Sequence, residues 1–290
     1  METFYDCIPC LLHQAITVTK MSYGNDEKLK EIIPQVLKSL ATLNMNTPPP
    51  VVARDMHKVI RKITNNLDPY KNLKEEYNQK ALDLYPKLKR YIEISQNPFE
   101  TAVKIAIAGN IIDFGITMTP EKISLIDNIE EILLKKPFIN DIKDLKNEIN
   151  KSSKILYLAD NTGEIVFDRV FIEHILPKNI TFVVRKSPIL NDATYEDAKF
   201  VGLTELVNVI NNGSDVPGTY LKECSQEFLE ELDSADFIIS KGQGNFETLG
   251  NVNKKVFYLL KAKCPCVANE IGCALNDILV IGKNYVEVTV

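Results

Sequence analysis

The chain of 290 residues carries 34 basic and 39 acidic side chains, a net charge of -5, with 45% hydrophobic and 8% aromatic residues. That composition can fill a core without crosslinks and excludes a disordered, collagen-like or disulfide-stapled chain, and the acidic balance excludes a domain-wide basic surface for nucleic acid. No apolar run approaches the roughly 20 residues of a bilayer span, and the opening METFYDCIPC lacks the basic and apolar regions of a signal peptide, so a cytoplasmic protein with no membrane partner is expected.

In chain order, apolar residues at three- and four-residue spacing predict helices over 11–21, 28–43, 51–65, 70–94 and 100–107. The TPPP string at 47–50 stops the second of them, and Pro86 predicts a kink or break inside the fourth. From about residue 151 the texture changes to short β-branched and aromatic runs: ILYLA at 155–159, ITFVV at 180–184, LVNVI at 206–210 and DFIIS at 236–240. Helical stretches over 165–175, 194–200 and 225–232 separate them, which is the repeated βαβ pattern of a doubly wound sheet. VFYLL at 256–260 and CVA at 266–268 extend that sheet, and ILVIG, KN and YVEVTV end the chain as a hairpin turning near 283–284. The expected fold is α/β: a mostly parallel, Rossmann-like sheet over 151–290, preceded by an all-helical domain over 1–150.

In such sheets ligands bind beyond the carboxyl ends of the strands. Those ends are polar here: DNTGE at 160–164, RKSPILNDAT at 185–194, NNGSD at 211–215 and KGQGNFE at 241–247. Each residue alone is no more than a helix cap or turn former. Jointly, Asp160, Asn161 and Asp192 offer hard oxygen ligands for Mg²⁺, Mn²⁺ or a similar ion, and Lys241 with the amides of 242–245 offers charge and donors to phosphate oxygens. Glu164 and Asp168, four apart on one helix face, are a candidate base or supports for the ligands. GQGNFE lacks the last glycine of G-x-G-x-x-G and follows the fourth strand rather than the first, and no Walker loop or nucleophile elbow is present.

The strings CIPCLLHQA (7–15), AGNIIDFG (108–115), ADNTGEIVFDR (159–169), KSPILNDAT (186–194) and KGQGNFETL (241–249) together resemble the damage-control phosphatase superfamily, in its CxxC-bearing subfamily I, formerly a domain of unknown function. The resemblance implies a metal-dependent phosphatase acting on small phosphorylated metabolites such as sugar phosphates, nucleotides or damaged forms of them, with Mn, Ni, Co or Mg as the ion. It implies Asp160, Asn161 and Asp192 as metal ligands, and the residues themselves offer Asp160, Glu164 and Asp192 for catalysis. It likewise implies Lys241 and Asn245 in a phosphate-facing loop, and Asn110 and Asp113 at the pocket rim. A methyltransferase using S-adenosylmethionine is a second reading, opposed by Arg-Lys-Ser at 185–187, where an acidic residue would end the second strand. A metal- or nucleotide-binding protein without catalysis is a third.

Cys7 and Cys10 form one CxxC, while Cys264 and Cys266 stand two apart with Cys273 nearby. A zinc site wants two such pairs or added histidines, so a composite site requires the chain ends to meet, and packing is the favoured role of the CxxC. His13, His57 and His174 fall on helices as surface or core residues.

Overall fold

At the first turn of a helix a missing amide costs no hydrogen bond, so the proline run that stops one helix starts the next: α3 (Pro49–Thr64) begins on two of its prolines. The structure is a computed structural model that describes residues 1–23, 27–111 and 125–283. Before α3 lie α1 (Cys7–Tyr23) and α2 (Glu27–Ala41); after it come α4 (Lys71–Glu93), α5 (Pro98–Ala108) and α6 (Leu125–Leu134). The α/β alternation follows: β1 (Ile139–Asn140), α7 (Ile142–Lys151), β2 (Lys154–Leu158), α8 (Glu164–Ile175), β3 (Asn179–Val184), α9 (Tyr195–Phe200), β4 (Asn208–Asn211), α10 (Gln226–Ser234), β5 (Phe237–Lys241) and α11 (Gly242–Thr248). It closes with β6 (Lys255–Lys261), α12 (Pro265–Ile271) and β7 (Ile278–Lys283).

The sheet order is β1-β7-β6-β5-β2-β3-β4. Every pairing is parallel except β6 with β7, so the fold is the mostly parallel, doubly wound α/β sheet that the βαβ spacing predicts. The chain leaves β2 in both directions, toward β3 on one side and β5 on the other, which makes the carboxyl ends of these strands the switch point where a crevice opens. One apolar cluster joins α4, α5, α7 and α8 to one sheet face through residues such as Leu88, Ile107, Phe167 and Tyr157. The opposite face packs α10 to α12, and a third cluster around Val18, Ile32 and Met56 belongs to α1–α3. Arg54 of α3 ties that third unit to the segment between β4 and α10, with Nη2 donating to Glu223 at 2.9 Å and Nη1 to Asp215 at 3.1 Å.

Several expectations need correction. The CVA segment is helical, because Cys264 caps it with Sγ accepting from the Val267 amide, Pro265 sits at the first position and Gly272 takes the left-handed cap. Helix α4 runs unbroken through Pro86, since Ala81, Leu88 and Ile92 anchor it in one core on both sides, offsetting the lost backbone bond. The short β1 has no sequence signal of its own and forms against the edge of β7. The proposed final strand at 285–290 and Asp113 lie outside the described residues. Among those described, no helix is long and apolar enough to cross a membrane.

His57 points into the α1–α3 core beside the Tyr70 ring, is 1% exposed, and its Nε2 has no partner. Burial, with Arg61 adding, lowers its pKa from 6.5 to about 3. The folded state therefore resists the proton that the unfolded chain accepts, so this site's contribution to stability is lost as pH falls from 6.5 toward 3. Its upper bound is roughly 5 kcal/mol. Urea unfolding across that window should show His57→Leu with a shallower acid decline than wild type; equal slopes would remove His57 from the acid response.

Candidate active site

The loop after β2 is short, because Gly163, with φ of 73°, turns the chain directly into α8. That turn places Asp160 and Asn161 at the strand end and Glu164 at the start of the helix. The loop after β3 folds back so that Asn161 and Asp192 bridge in antiparallel fashion, and the Ala193 amide donates to the Asp160 carbonyl at 2.9 Å. Two carboxylates from different strand ends thus meet at the switch point.

Both are buried, and their surroundings differ. Asp160 Oδ2 accepts from Asn110 Nδ2 at 3.0 Å and from Asn161 Nδ2 at 2.8 Å. Burial, then the Glu164 and Asp192 carboxylates, push its pKa well above the usual carboxylate range, with Lys263 and Arg185 pulling it back. Asp192 Oδ2 accepts from Arg185 Nε at 2.7 Å and from the Gly218 amide at 3.3 Å. Arg185 is itself held beneath the site, donating through Nη2 to the Ala159 carbonyl at 3.0 Å and to Asn245 at 3.3 Å.

A cavity of about 620 Å³ opens above these groups. It is lined by Asp160, Asn161, Asp192, Asn110 and Lys263, by Leu11, Pro49, Pro50 and Ala53 of the α1–α3 unit, and by four cysteines. Asn110 Oδ1 and Asn191 Nδ2 are buried at its wall without a hydrogen-bond partner among the described residues. An acceptor and a donor are therefore available to a bound molecule.

Of the residues singled out from sequence, Asp160, Asn161, Asp192 and Asn110 come together on the cavity. Glu164 stands behind them, fully buried, accepting from Asn110 at 2.9 Å, Asn161 at 3.2 Å and Lys241 at 2.7 Å. Lys241 does not face the cavity. It ends β5 with its side chain on the sheet face covered by α5 and α8, and Nζ donates to the Ala106 carbonyl at 2.8 Å and to Asp168 at 2.5 Å as well. Asn245 is equally enclosed, donating to the Ala159 and Lys241 carbonyls at 2.9 and 2.8 Å. Among the described residues, the cation that lines the cavity is Lys263, just beyond β6. It obeys the same strand-end rule that singled out the other loops, and scanning the end of VFYLLK would have found it.

Gly242 fixes how closely the backbone approaches. A Cβ there would stand 1.8 Å from Asp160 Oδ2, and its φ of +75° is left-handed. Gly242→Ala should therefore displace the Asp160 carboxylate and strain the backbone by roughly 1–2 kcal/mol. Turnover and the urea midpoint check this; a variant with wild-type values in both would mean that Asp160 has room to move.

A family model for the damage-control phosphatase ARMT1-like domain matches residues 3–279. The chain is 38% identical to the damage-control phosphatase PH1575 of Pyrococcus horikoshii over 279 residues, covering 93% of this chain and 94% of that one. It is also 38% identical to an uncharacterized protein of Methanocaldococcus jannaschii (94% and 92% covered) and 32% identical to a damage-control phosphatase of Archaeoglobus fulgidus (94% and 96%). The crystal structure of the Pyrococcus horikoshii protein, a DUF89 family member, superposes with a TM-score of 0.85 over 97% of this chain and 99% of that one. With the α/β sheet, the paired carboxylates at its switch point and these matches over nearly the whole length, the chain belongs to the ARMT1-like damage-control phosphatase family.

Proposed function

We propose that this protein is a metal-dependent phosphatase that hydrolyses phosphomonoesters of small metabolites, such as sugar phosphates, nucleotides or damaged forms of them. The observation that carries this is the placement of Asp160 and Asp192, two buried carboxylates beside Asn161, at the floor of a cavity large enough for a small metabolite. The set is all oxygen and crowded with negative charge, as the raised Asp160 pKa reports, and that deficit of positive charge fits a hard divalent cation: Mn²⁺, Ni²⁺, Co²⁺ or Mg²⁺. Asp160, Asn161 and Asp192 would hold the ion, which supplies Lewis-acid polarisation of a phosphoryl oxygen.

The chain's own residues do the rest. Asn110 holds the Asp160 carboxylate in place and leaves its Oδ1 to the substrate side. Arg185 fixes Asp192 from below. Lys263 supplies the phosphate-facing positive charge, the role the sequence suggested for Lys241. In the overall step a water oxygen forms the new P–O bond as the ester P–O bond breaks, and the departing oxygen takes a proton.

The test is phosphate release from p-nitrophenyl phosphate and a panel of sugar phosphates and nucleotides, after chelator treatment and readdition of Mg²⁺, Mn²⁺, Co²⁺ or Ni²⁺. Turnover lost with chelator and restored by at least one ion is expected. No release with any ion would overturn the proposal in favour of binding without catalysis.

A further inference from the structure

Two cysteine pairs from opposite ends of the chain meet on one cavity wall. Cys7 and Cys10 begin α1 one turn apart, and Cys264 and Cys266 flank the first residue of α12. All four line the cavity. Cys7 and Cys266 influence each other's titration, and Cys264 that of Cys10, which places the two pairs near one another. A tertiary contact brings the N-terminus to α11 in the C-terminal part of the chain: the Met1 ammonium donates to the Glu247 carbonyl at 3.0 Å. The other two cysteines, Cys224 and Cys273, pack against an apolar cluster and do not line the cavity.

We propose that Cys7, Cys10, Cys264 and Cys266 form a thiolate site for one d10 cation of the Zn²⁺ class, distinct from the oxygen ligands that line the same cavity. Spacings of two and one residues between paired cysteines both let two sulfurs reach a common centre, and four sulfurs satisfy a tetrahedral ion. Sulfur is a poor ligand for the hard ions that suit Asp160 and Asp192, so the two ligand sets select different metals. Among the described residues no three Cys, His, Asp or Glu side chains already stand in ligating position. The ion must therefore draw the thiols in, as metal binding often completes a site that is not preformed. Burial holds the free thiols protonated, so binding one Zn²⁺ releases four protons as four S–Zn bonds form. The resulting negative centre lies beside Lys263 on the cavity lining, with Asp6 and Glu247 the nearby acids. Its structural effect is to staple α1 to α12.

The proposal stands independently of the phosphatase reading. Its test uses the full chain, reduced and stripped of metal, titrated with Co²⁺ as a spectroscopic probe. Expected are sulfur-to-cobalt charge-transfer absorption and intense tetrahedral ligand-field bands, saturating at about one ion per chain and displaced by Zn²⁺. The bands should vanish in Cys7→Ser/Cys10→Ser and in Cys264→Ser/Cys266→Ser, and persist in Cys224→Ser/Cys273→Ser. They should also persist in Asp192→Asn, which separates this site from the oxygen ligands. Zn²⁺ should protect these four cysteines, and not Cys224 or Cys273, from alkylation mapped by mass spectrometry, a readout that needs no variant to fold. Octahedral bands alone, bands that survive both paired variants, bands lost in Asp192→Asn, or a Cys7–Cys266 disulfide whose reduction restores no Co²⁺ binding would each overturn the proposal.

Discussion

Asp192→Asn should abolish metal-dependent turnover and weaken binding of the divalent ion at least about 100-fold, while leaving the fold intact. The asparagine keeps an oxygen at Oδ1, so Arg185 Nε, now 2.7 Å from the carboxylate, retains an acceptor. What disappears is one of the two charges that face the cavity at the ends of β2 and β3. Asp192→Ala is the harsher change. It strands a buried guanidinium whose Nη1 already has no partner, and removing one member of such a pair costs about 3–5 kcal/mol. Comparing the two separates ligand loss from loss of packing. Isothermal titration with Mn²⁺ reads affinity, urea unfolding reads stability, and an unchanged affinity in Asp192→Asn would remove this residue from the ion.

Lys241→Met should destabilise the protein by roughly 3–5 kcal/mol at neutral pH rather than raise the KM for a phosphate ester. The ammonium is fully buried between Glu164 at 2.7 Å and Asp168 at 2.5 Å, and Tyr157 also donates to Asp168 at 2.7 Å. Although burial works against its charge, Asp168 and Glu164 together hold its pKa above the ordinary lysine value. Methionine fills the volume and leaves two carboxylates with no countercharge. Burial already pushes Asp168 up to about 6, with Lys241 pulling it down and Glu164 pushing it further up. Without the lysine, Asp168 relieves the penalty by taking a proton. The stability deficit of the variant should therefore shrink as pH falls from 7 through 6. Urea unfolding at both ends of that range measures it. Wild-type stability with a raised KM would return Lys241 to the substrate and overturn the buried-triad assignment.

Much of this architecture was legible in the residues themselves. The spacing of apolar residues sets helix and strand identity locally, because a period of 3.6 or 2 decides which face can be buried, and eight helices and six strands were readable that way. The strand-end position of Asp160, Asn161 and Asp192 follows from the same pattern, since in a parallel sheet every strand delivers its last residues to one edge. Where the pattern misled, a local rule was outweighed by packing or by a competing local signal: Pro86 by the core on both sides of it, and the CVA strand by the Cys264–Pro265 start of a helix.

Side-chain direction and long-range meeting were decided only by the tertiary structure. Lys241 is polar and sits at a strand end, yet the alternation of the strand and the cover of α5 and α8 turn it inward onto an acidic pair from a helix more than 70 positions earlier. Arg185 acquires its place under Asp192 because the β3 loop folds back on itself. The cysteines at positions 7 and 10 share a wall with those at 264 and 266 because helices from both ends of the chain pack around one crevice. Residue type and period are local properties, written in a few neighbouring positions. Which polar groups become buried, and against whom, depends on contacts between segments that the local pattern does not encode.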